Sequence, residues 1–146
     1  RGTHLRFEAQ ITRQVSISGN YTYNDSRVLA APNAFDPTQL AGNRLFKRPV
    51  NAGNLVLNAS WGRFQSSLTG IFVGKRTDSD FLGLGYASVP GYARLDLAVS
   101  YRLSPQVSFT TRIQNLLNER YQDALGYPTL GVAAYAGLRL RLGGDK

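Results

Sequence analysis

Apolar and polar side chains alternate one for one along seven stretches of this chain, and each stretch runs for about 9–12 residues. Strict period-two alternation is what an extended strand requires when its two faces meet different surroundings, because successive side chains point to opposite sides. From Thr3 to Arg13, Leu5, Phe7, Ala9 and Ile11 share one face, and Arg6, Glu8, Gln10 and Thr12 share the other. From Gln14 to Asn24, Val15, Ile17, Gly19, Tyr21 and Tyr23 alternate with Ser16, Ser18, Asn20, Thr22 and Asn24. A third stretch, Gly53 to Trp61, carries Leu55, Leu57, Ala59 and Trp61 on one side. The fourth, Arg63 to Val73, is the least regular: Phe64, Leu68 and Phe72 oppose a face that also holds Ile71 and Val73. The fifth, Tyr92 to Leu103, is the cleanest, with Ala93, Leu95, Leu97, Val99, Tyr101 and Leu103 against Arg94, Asp96, Ser100 and Arg102. Gln106 to Leu117 and Val132 to Leu142 complete the set. No stretch has helical periodicity.

Length narrows the fold further. Strands of soluble proteins average about 5–6 residues, whereas a tilted strand crossing a bilayer needs about 9–11. A membrane barrel turns its apolar face to lipid and its polar face to the lumen. The lumen-facing residues expected on this basis are Arg94, Asp96, Arg112, Arg139 and Arg141.

The connections alternate as regularly as the side chains. Only Arg13-Gln14, Gly62-Arg63 and Ser104-Pro105 separate the strands of three pairs, while the other links span 25–52, 74–91 and 118–131. All tight turns therefore fall at one end and all long loops at the other, as in outer-membrane barrels with short periplasmic turns and long extracellular loops. Tyr21, Tyr23, Trp61, Phe64, Phe72, Tyr92, Tyr101 and Tyr121, near strand ends, fit the aromatic belts of a membrane interface. The fold expected is all-β: an antiparallel up-and-down transmembrane barrel segment of about seven strands. Single-chain bacterial barrels have even strand counts from eight upward, so an odd count points to part of a larger barrel.

Composition is consistent with this and excludes several alternatives. No run approaches the roughly 18 apolar residues of a membrane-spanning helix. With no cysteine, there are no disulfides, thiolate metal sites or thiol nucleophiles. Methionine is absent too, which suggests a segment of a longer chain. The formal charge is +8, but the cations are dispersed apart from Arg44/Lys47/Arg48 and Lys75/Arg76, and no nucleic-acid-binding motif accompanies them. No nucleic-acid partner is expected.

Catalytic and metal chemistry have little to build on. The one histidine, His4, would have to anchor any serine–histidine–acid arrangement. Asp78-Ser79-Asp80 and Gly83 echo the opening of a calcium loop, but Leu82 and Val89 stand where ligands are needed. No enzyme activity, cofactor or metal site is expected. What remains is ligand contact by the long loops. Phe35, Phe81, Tyr86 and Tyr127 offer stacking surfaces, and Arg44, Lys47, Arg48, Lys75 and Arg76 suit an anionic chelate or lipopolysaccharide phosphates.

The run Asn115-Leu116-Leu117-Asn118-Glu119-Arg120-Tyr121, followed by Gly126-Tyr127-Pro128 and a last strand, resembles the end of TonB-dependent outer-membrane receptors. Arg1-Gly2 ahead of the first strand and Arg48-Pro49 ahead of the third are similar to two other recurrent patterns of that family, with Asn51 where histidine is common. Cobalamin and catecholate-siderophore receptors look closest. The resemblance implies that residues 1–146 form the carboxy-terminal portion of a 22-stranded barrel in the bacterial outer membrane. It further implies TonB-energised import of a ferric siderophore, cobalamin or similar scarce ligand. Lipid, lipopolysaccharide and that ligand are the implied partners, with the TonB complex reached only through a plug and box region that this sequence lacks. The family usually ends on an aromatic residue, and here Gly143-Gly144-Asp145-Lys146 stands instead. Two other classes compete: a small stand-alone barrel with a pore, structural or adhesion role, and a soluble lipocalin-like ligand-binding barrel. An open seven-stranded sheet argues against both as monomers, because its edges are untenable in lipid and aggregation-prone in water.

Overall fold

The computed structural model describes residues 1–30, 40–80 and 85–142. Its strands, in chain order, are β1 (Gly2–Gln10), β2 (Val15–Asn24), β3 (Asn51–Trp61), β4 (Phe64–Val73), β5 (Arg76–Ser79), β6 (Tyr86–Val89), β7 (Tyr92–Arg102), β8 (Val107–Gln114), β9 (Gln122–Ala124), β10 (Tyr127–Pro128) and β11 (Ala133–Leu140). Seven of them make one antiparallel sheet in the order β1-β2-β3-β4-β7-β8-β11. That is an up-and-down barrel wall, and it remains open at both edges among the described residues.

The seven-strand wall is as expected, and the other four strands are additions within the loops. β5 pairs with β6 and β9 with β10, so two of the long links fold into hairpins of their own. These strands have 2–4 residues, too short for alternation to announce them. Two expected boundaries also move by three residues. The first strand stops at Gln10, and Ile11–Gln14 forms a four-residue link in which the Thr12 hydroxyl accepts the backbone N–H groups of Gln14 and Val15. The sixth expected strand ends at Gln114 rather than Leu117, because Asn115 turns to a φ of 53°.

Register makes each face continuous across the sheet. Directly opposed residues share a face, so Trp61, Phe64, Tyr101, Phe109 and Leu138 form one row near the short turns. Leu5, Tyr21, Gly53, Phe72 and Ala93 form another near the long loops. On β4 these rows lie eight residues apart, or ~27 Å along the strand and ~20 Å along a barrel axis tilted by ~40°. The separation approaches the ~25 Å apolar band expected between two aromatic girdles.

Almost nothing apolar is buried. Val89 is the one fully buried hydrophobic residue among those described, while Leu5, Phe7, Trp61 and Leu138 are 50–66% exposed. A single-layer sheet whose apolar face is exposed or half-exposed has no aqueous core to stabilise it. That face has the composition of a lipid-contacting surface, and no helix of the described residues is long and apolar enough to cross a membrane.

The tight turns use local chemistry suited to their lengths. Gly62, at a φ of 56°, opens the two-residue Gly62-Arg63 link, where a side chain would be strained. The Leu103–Gln106 link repeats the Thr12 arrangement: the Ser104 hydroxyl accepts the N–H groups of Gln106 and Val107.

Candidate functional site at the loop end of the polar face

The polar face is a set of cross-strand rows. Arg94 stands in line with Ile71, Asn54 and Asn20, and Asp96 with Thr69, Val56 and Ser18. Arg112 is opposite Ala98 and Tyr135, and Arg139 shares Ser108 with Arg102. Arg141 follows β11 and donates its backbone N–H to the Gln106 carbonyl. The four arginines and one aspartate expected on a common face are therefore brought to one side of the sheet. That side is concave, with a trough of about 750 Å³ running from Gln10 and Asn58 to Arg112 and Tyr135.

At the loop end a chain of polar contacts ties β7 to two of the long loops. Arg94 donates from Nη2 to Asp96 Oδ2 at 3.0 Å and from Nη1 to the Tyr121 hydroxyl at 3.1 Å. The Tyr121 ring stacks on Tyr92 with centroids 3.8 Å apart, and the Tyr92 hydroxyl donates to Asp123 Oδ1 at 2.9 Å. Arg76 lies 6.0 Å from the Tyr92 ring centroid and donates to the carbonyls of Gln122 and Asp123. The buried Arg76 guanidinium thus braces the β5–β6 hairpin against the β9–β10 hairpin.

The asparagines of the Asn115–Tyr121 run have a structural reason. Asn115, 2% exposed, sits at a φ of 53° and Asn118 at 51°, a region asparagine tolerates better than other non-glycine residues. Asn115 Oδ1 accepts the Glu119 N–H, and its Nδ2 donates to the Glu119 and Leu130 carbonyls. Asn118 Oδ1 accepts the Val132 N–H at 3.1 Å, just ahead of β11. Each side chain satisfies backbone groups that an irregular loop would otherwise leave open.

Between the 25–50 link and the β5–β6 hairpin lies a second recess of about 730 Å³, lined by Arg44, Arg48, Asn51, Lys75, Arg76 and Tyr86 among others. This brings together two expected ligand residues, Arg44 and Tyr86, with three of the flanking cations. The Tyr86 ring meets Phe46 edge to face at 5.6 Å. Arg44 pairs with Asp25 at 3.8 Å, and Arg27 pairs with the same carboxylate at 3.1 Å. The hydrogen bond from Arg27 holds the Asp25 carboxyl below its ordinary value, assisted by the nearby charges of Arg27 and Arg44. Tyr127, 75% exposed on β10, is not among the residues lining the recess. Phe35 and Phe81 lie outside the described residues.

Two aromatics expected in the membrane belt belong elsewhere. Tyr92 shares its face with Arg94 and Asp96, not with Ala93 and Leu95, and Tyr121 stacks against it. The parity of Tyr92 with Arg94 on one strand carried that signal. The bracing role of Arg76 had no such signal, since its partners are backbone carbonyls 46 and 47 residues away. Among the described residues no cluster of acids and histidine has the makings of a metal site.

Residues 5–116 match the family described as TonB dependent receptor-like, beta-barrel. The metal-pseudopaline receptor CntO of Pseudomonas aeruginosa is 27% identical over 129 residues, covering 84% of this chain and 17% of CntO. The vitamin B12 transporter BtuB of Vibrio vulnificus is 30% identical over 93 residues, covering 63% of this chain and 15% of BtuB. Among solved structures, the siderophore receptor PiuA from Acinetobacter baumannii superposes with a TM-score of 0.78 at 21% identity, over 95% of this chain and 21% of PiuA. The ferric-catecholate import receptor Fiu from E. coli K12 superposes with a TM-score of 0.77 at 18% identity, over 95% of this chain and 20% of Fiu. The chain thus spans about a fifth or less of the length of each protein it matches.

Proposed function

Because the chain belongs to the TonB-dependent receptor β-barrel family, we propose that it forms the carboxy-terminal portion of the barrel wall of a bacterial outer-membrane receptor. In this reading the apolar face meets lipid, the polar face lines the lumen, and the long loops reach the cell exterior. The receptor takes up a scarce ligand with energy supplied through TonB, and lipopolysaccharide surrounds its outer rim.

The observation that carries the ligand class is the recess where Arg44, Arg48, Lys75 and Arg76 converge beside Tyr86. Four cations line the recess and one of them, Arg44, pairs with Asp25, an excess of positive charge that favours an anionic metal chelate over an uncharged ligand. A nearby tyrosine suits the aromatic or planar groups of such chelates. The matched relatives include a metal-pseudopaline receptor and vitamin B12 transporters, so cobalamin stands as the second reading.

Binding to cells carrying the full-length protein tests this. Radiolabelled ferric catecholate, ferric citrate and cobalamin are compared for the wild type and an R44Q/R48Q/K75Q variant. The anionic chelate reading requires at least one ferric chelate to bind, and to bind at least tenfold more weakly to the variant. Equal binding of every ligand to both proteins would remove the recess from consideration. Binding of cobalamin alone would establish the second reading.

A further inference from the structure

Gly70 lies within β4, the central strand of the seven, on the apolar face between Leu55 and Leu95. Glycine inside a strand weakens it, and marks a bulge, a tight bend or a close approach to the backbone. The register runs through Gly70 without a shift on either side, which excludes a bulge. A Cβ there would meet the Leu55 carbonyl oxygen and Leu95 Cδ1 at 3.9 Å, an ordinary contact. On the same face, a Cβ at Gly19 or Gly53 would stand 2.8 or 2.7 Å from a neighbouring carbonyl oxygen. The sheet therefore requires glycine at those two positions but not at Gly70, which leaves close approach from outside the sheet.

Gly70, Gly53 and Ala93 form the floor of a shallow groove of about 380 Å³, walled by Tyr21, Leu95 and Leu117 among others. Strands that complete a barrel join at β1 and β11, each three places from β4, and whatever fills the lumen lies on the opposite face. The groove thus stays open to the surroundings of the whole barrel. At its loop-side edge the Tyr21 hydroxyl donates to Asn51 Oδ1 at 2.6 Å. Asn51 also lines the loop recess with Arg44, Arg48 and Lys75, so an apolar groove and a cluster of cations adjoin through one hydrogen bond.

A hydrocarbon chain gains little by leaving bulk lipid for an apolar wall, because lipid tails are as apolar as leucine. Selectivity in such a groove comes from van der Waals fit along the bare backbone, and affinity from charge at the membrane surface. A lipid with an anionic head group and a chain running toward the bilayer centre meets both.

We infer that this groove seats one acyl chain of lipopolysaccharide, with a phosphate of its lipid A portion against the cations of the loop recess. The inference rests on the reading in which the apolar face meets lipid and the long loops lie outside. Phosphate and an imported chelate draw on the same cations, so the test alters the groove and leaves the cations in place.

Full-length protein in detergent is titrated with diphosphoryl lipid A, dephosphorylated lipid A and phosphatidylethanolamine, and bound lipid is counted by native mass spectrometry. Heat-modifiable migration on gels checks that each protein is a folded barrel. The wild type should bind one diphosphoryl lipid A at lower concentration than either other lipid. Gly70→Leu fills the groove and should weaken that binding about fivefold, as should Ala93→Leu from the next strand, so one folded variant of the two suffices. Leu68→Phe, on the same face but outside the groove, should bind like the wild type. Wild-type binding by folded Gly70→Leu or Ala93→Leu overturns the inference, as does equal weakening by Leu68→Phe or a wild type that prefers none of the three lipids. A wild type without a heat-modifiable form loses the barrel reading as well, which tells the two failures apart.

Discussion

Asp96 on β7 reaches the chain just beyond β8, where its Oδ1 accepts the backbone N–H of the buried Asn115 at 2.9 Å. Its other oxygen takes the Arg94 guanidinium, so one carboxylate serves two partners. Asp96→Ala leaves both unsatisfied, and Asn115→Ala opens the Glu119 N–H and two carbonyls. Each is expected to destabilise the folded barrel by about 2–3 kcal/mol. Combined, they should cost less than their sum, because they remove parts of one network. Denaturant unfolding of the full-length protein in detergent measures all three values.

Thr12 and Ser104 cap two turns in the same way, each hydroxyl accepting two backbone N–H groups. Replacing either by alanine is expected to cost about 0.5–1 kcal/mol. Four strand spacings separate the two turns, so the costs should add. Exchange to Thr12→Ser or Ser104→Thr should be close to neutral in the same unfolding measurement.

Phe7 covers Gly19. A Cβ at Gly19 would stand 2.8 Å from the Asn54 carbonyl oxygen and 2.9 Å from the Phe7 ring, although the two residues are directly opposed across β1 and β2. Gly19→Ala is expected to cost about 1–3 kcal/mol. Adding Phe7→Ala relieves only the ring contact, so the double variant should remain below Phe7→Ala alone in stability. Full recovery in a double-mutant cycle would contradict this arrangement.

Asp25 ties Arg27 and Arg44 together at the start of the longest loop. Its carboxyl is held below its ordinary value, so the stabilisation is present above that value and is lost as pH falls through the lowered one, below ~4. Amide exchange at Val28 and Leu45, which bond to Asn43 and Ser26, should lose protection on acidification. Asp25→Asn should lack the charge-assisted tie at every pH and show no such acid-dependent step.

Arg76 holds the Gln122 and Asp123 carbonyls through one guanidinium nitrogen. Lysine keeps the charge but loses the planar geometry. Arg76→Lys is therefore expected to increase protease cleavage within 118–131 several-fold, with little change in the unfolding midpoint of the seven-stranded sheet. Cleavage at the wild-type rate would show that the brace is dispensable.

The sheet was legible in the sequence because its two faces meet different surroundings. Leu95, Leu97 and Val99 alternate with Arg94 and Asp96, and the register places them on opposite faces across neighbouring strands. The hairpins of Arg76–Ser79 with Tyr86–Val89, and of Gln122–Ala124 with Tyr127–Pro128, were not legible. They are too short for periodicity and are held by contacts with distant backbone. The loop recess was legible only in part. Arg44 and Tyr86 suggested themselves by residue type, but nothing local indicated that they would meet Arg48, Asn51 and Lys75 around one recess. For the Asn115–Tyr121 run the pattern was visible and its cause was not, because positive φ and capping by Asn115 and Asn118 depend on the folded turn.

Strand direction in this sheet has a geometric consequence. β1 and β11, its two edges, both run from the long loops toward the short turns. Joining those edges directly would produce a parallel seam in an otherwise antiparallel wall. A ring assembled only from copies of this sheet meets the same obstacle, since every junction would set β11 beside a β1 of identical heading. Only an odd number of additional strands between the edges restores alternation around the circumference, whatever the final diameter of the cylinder.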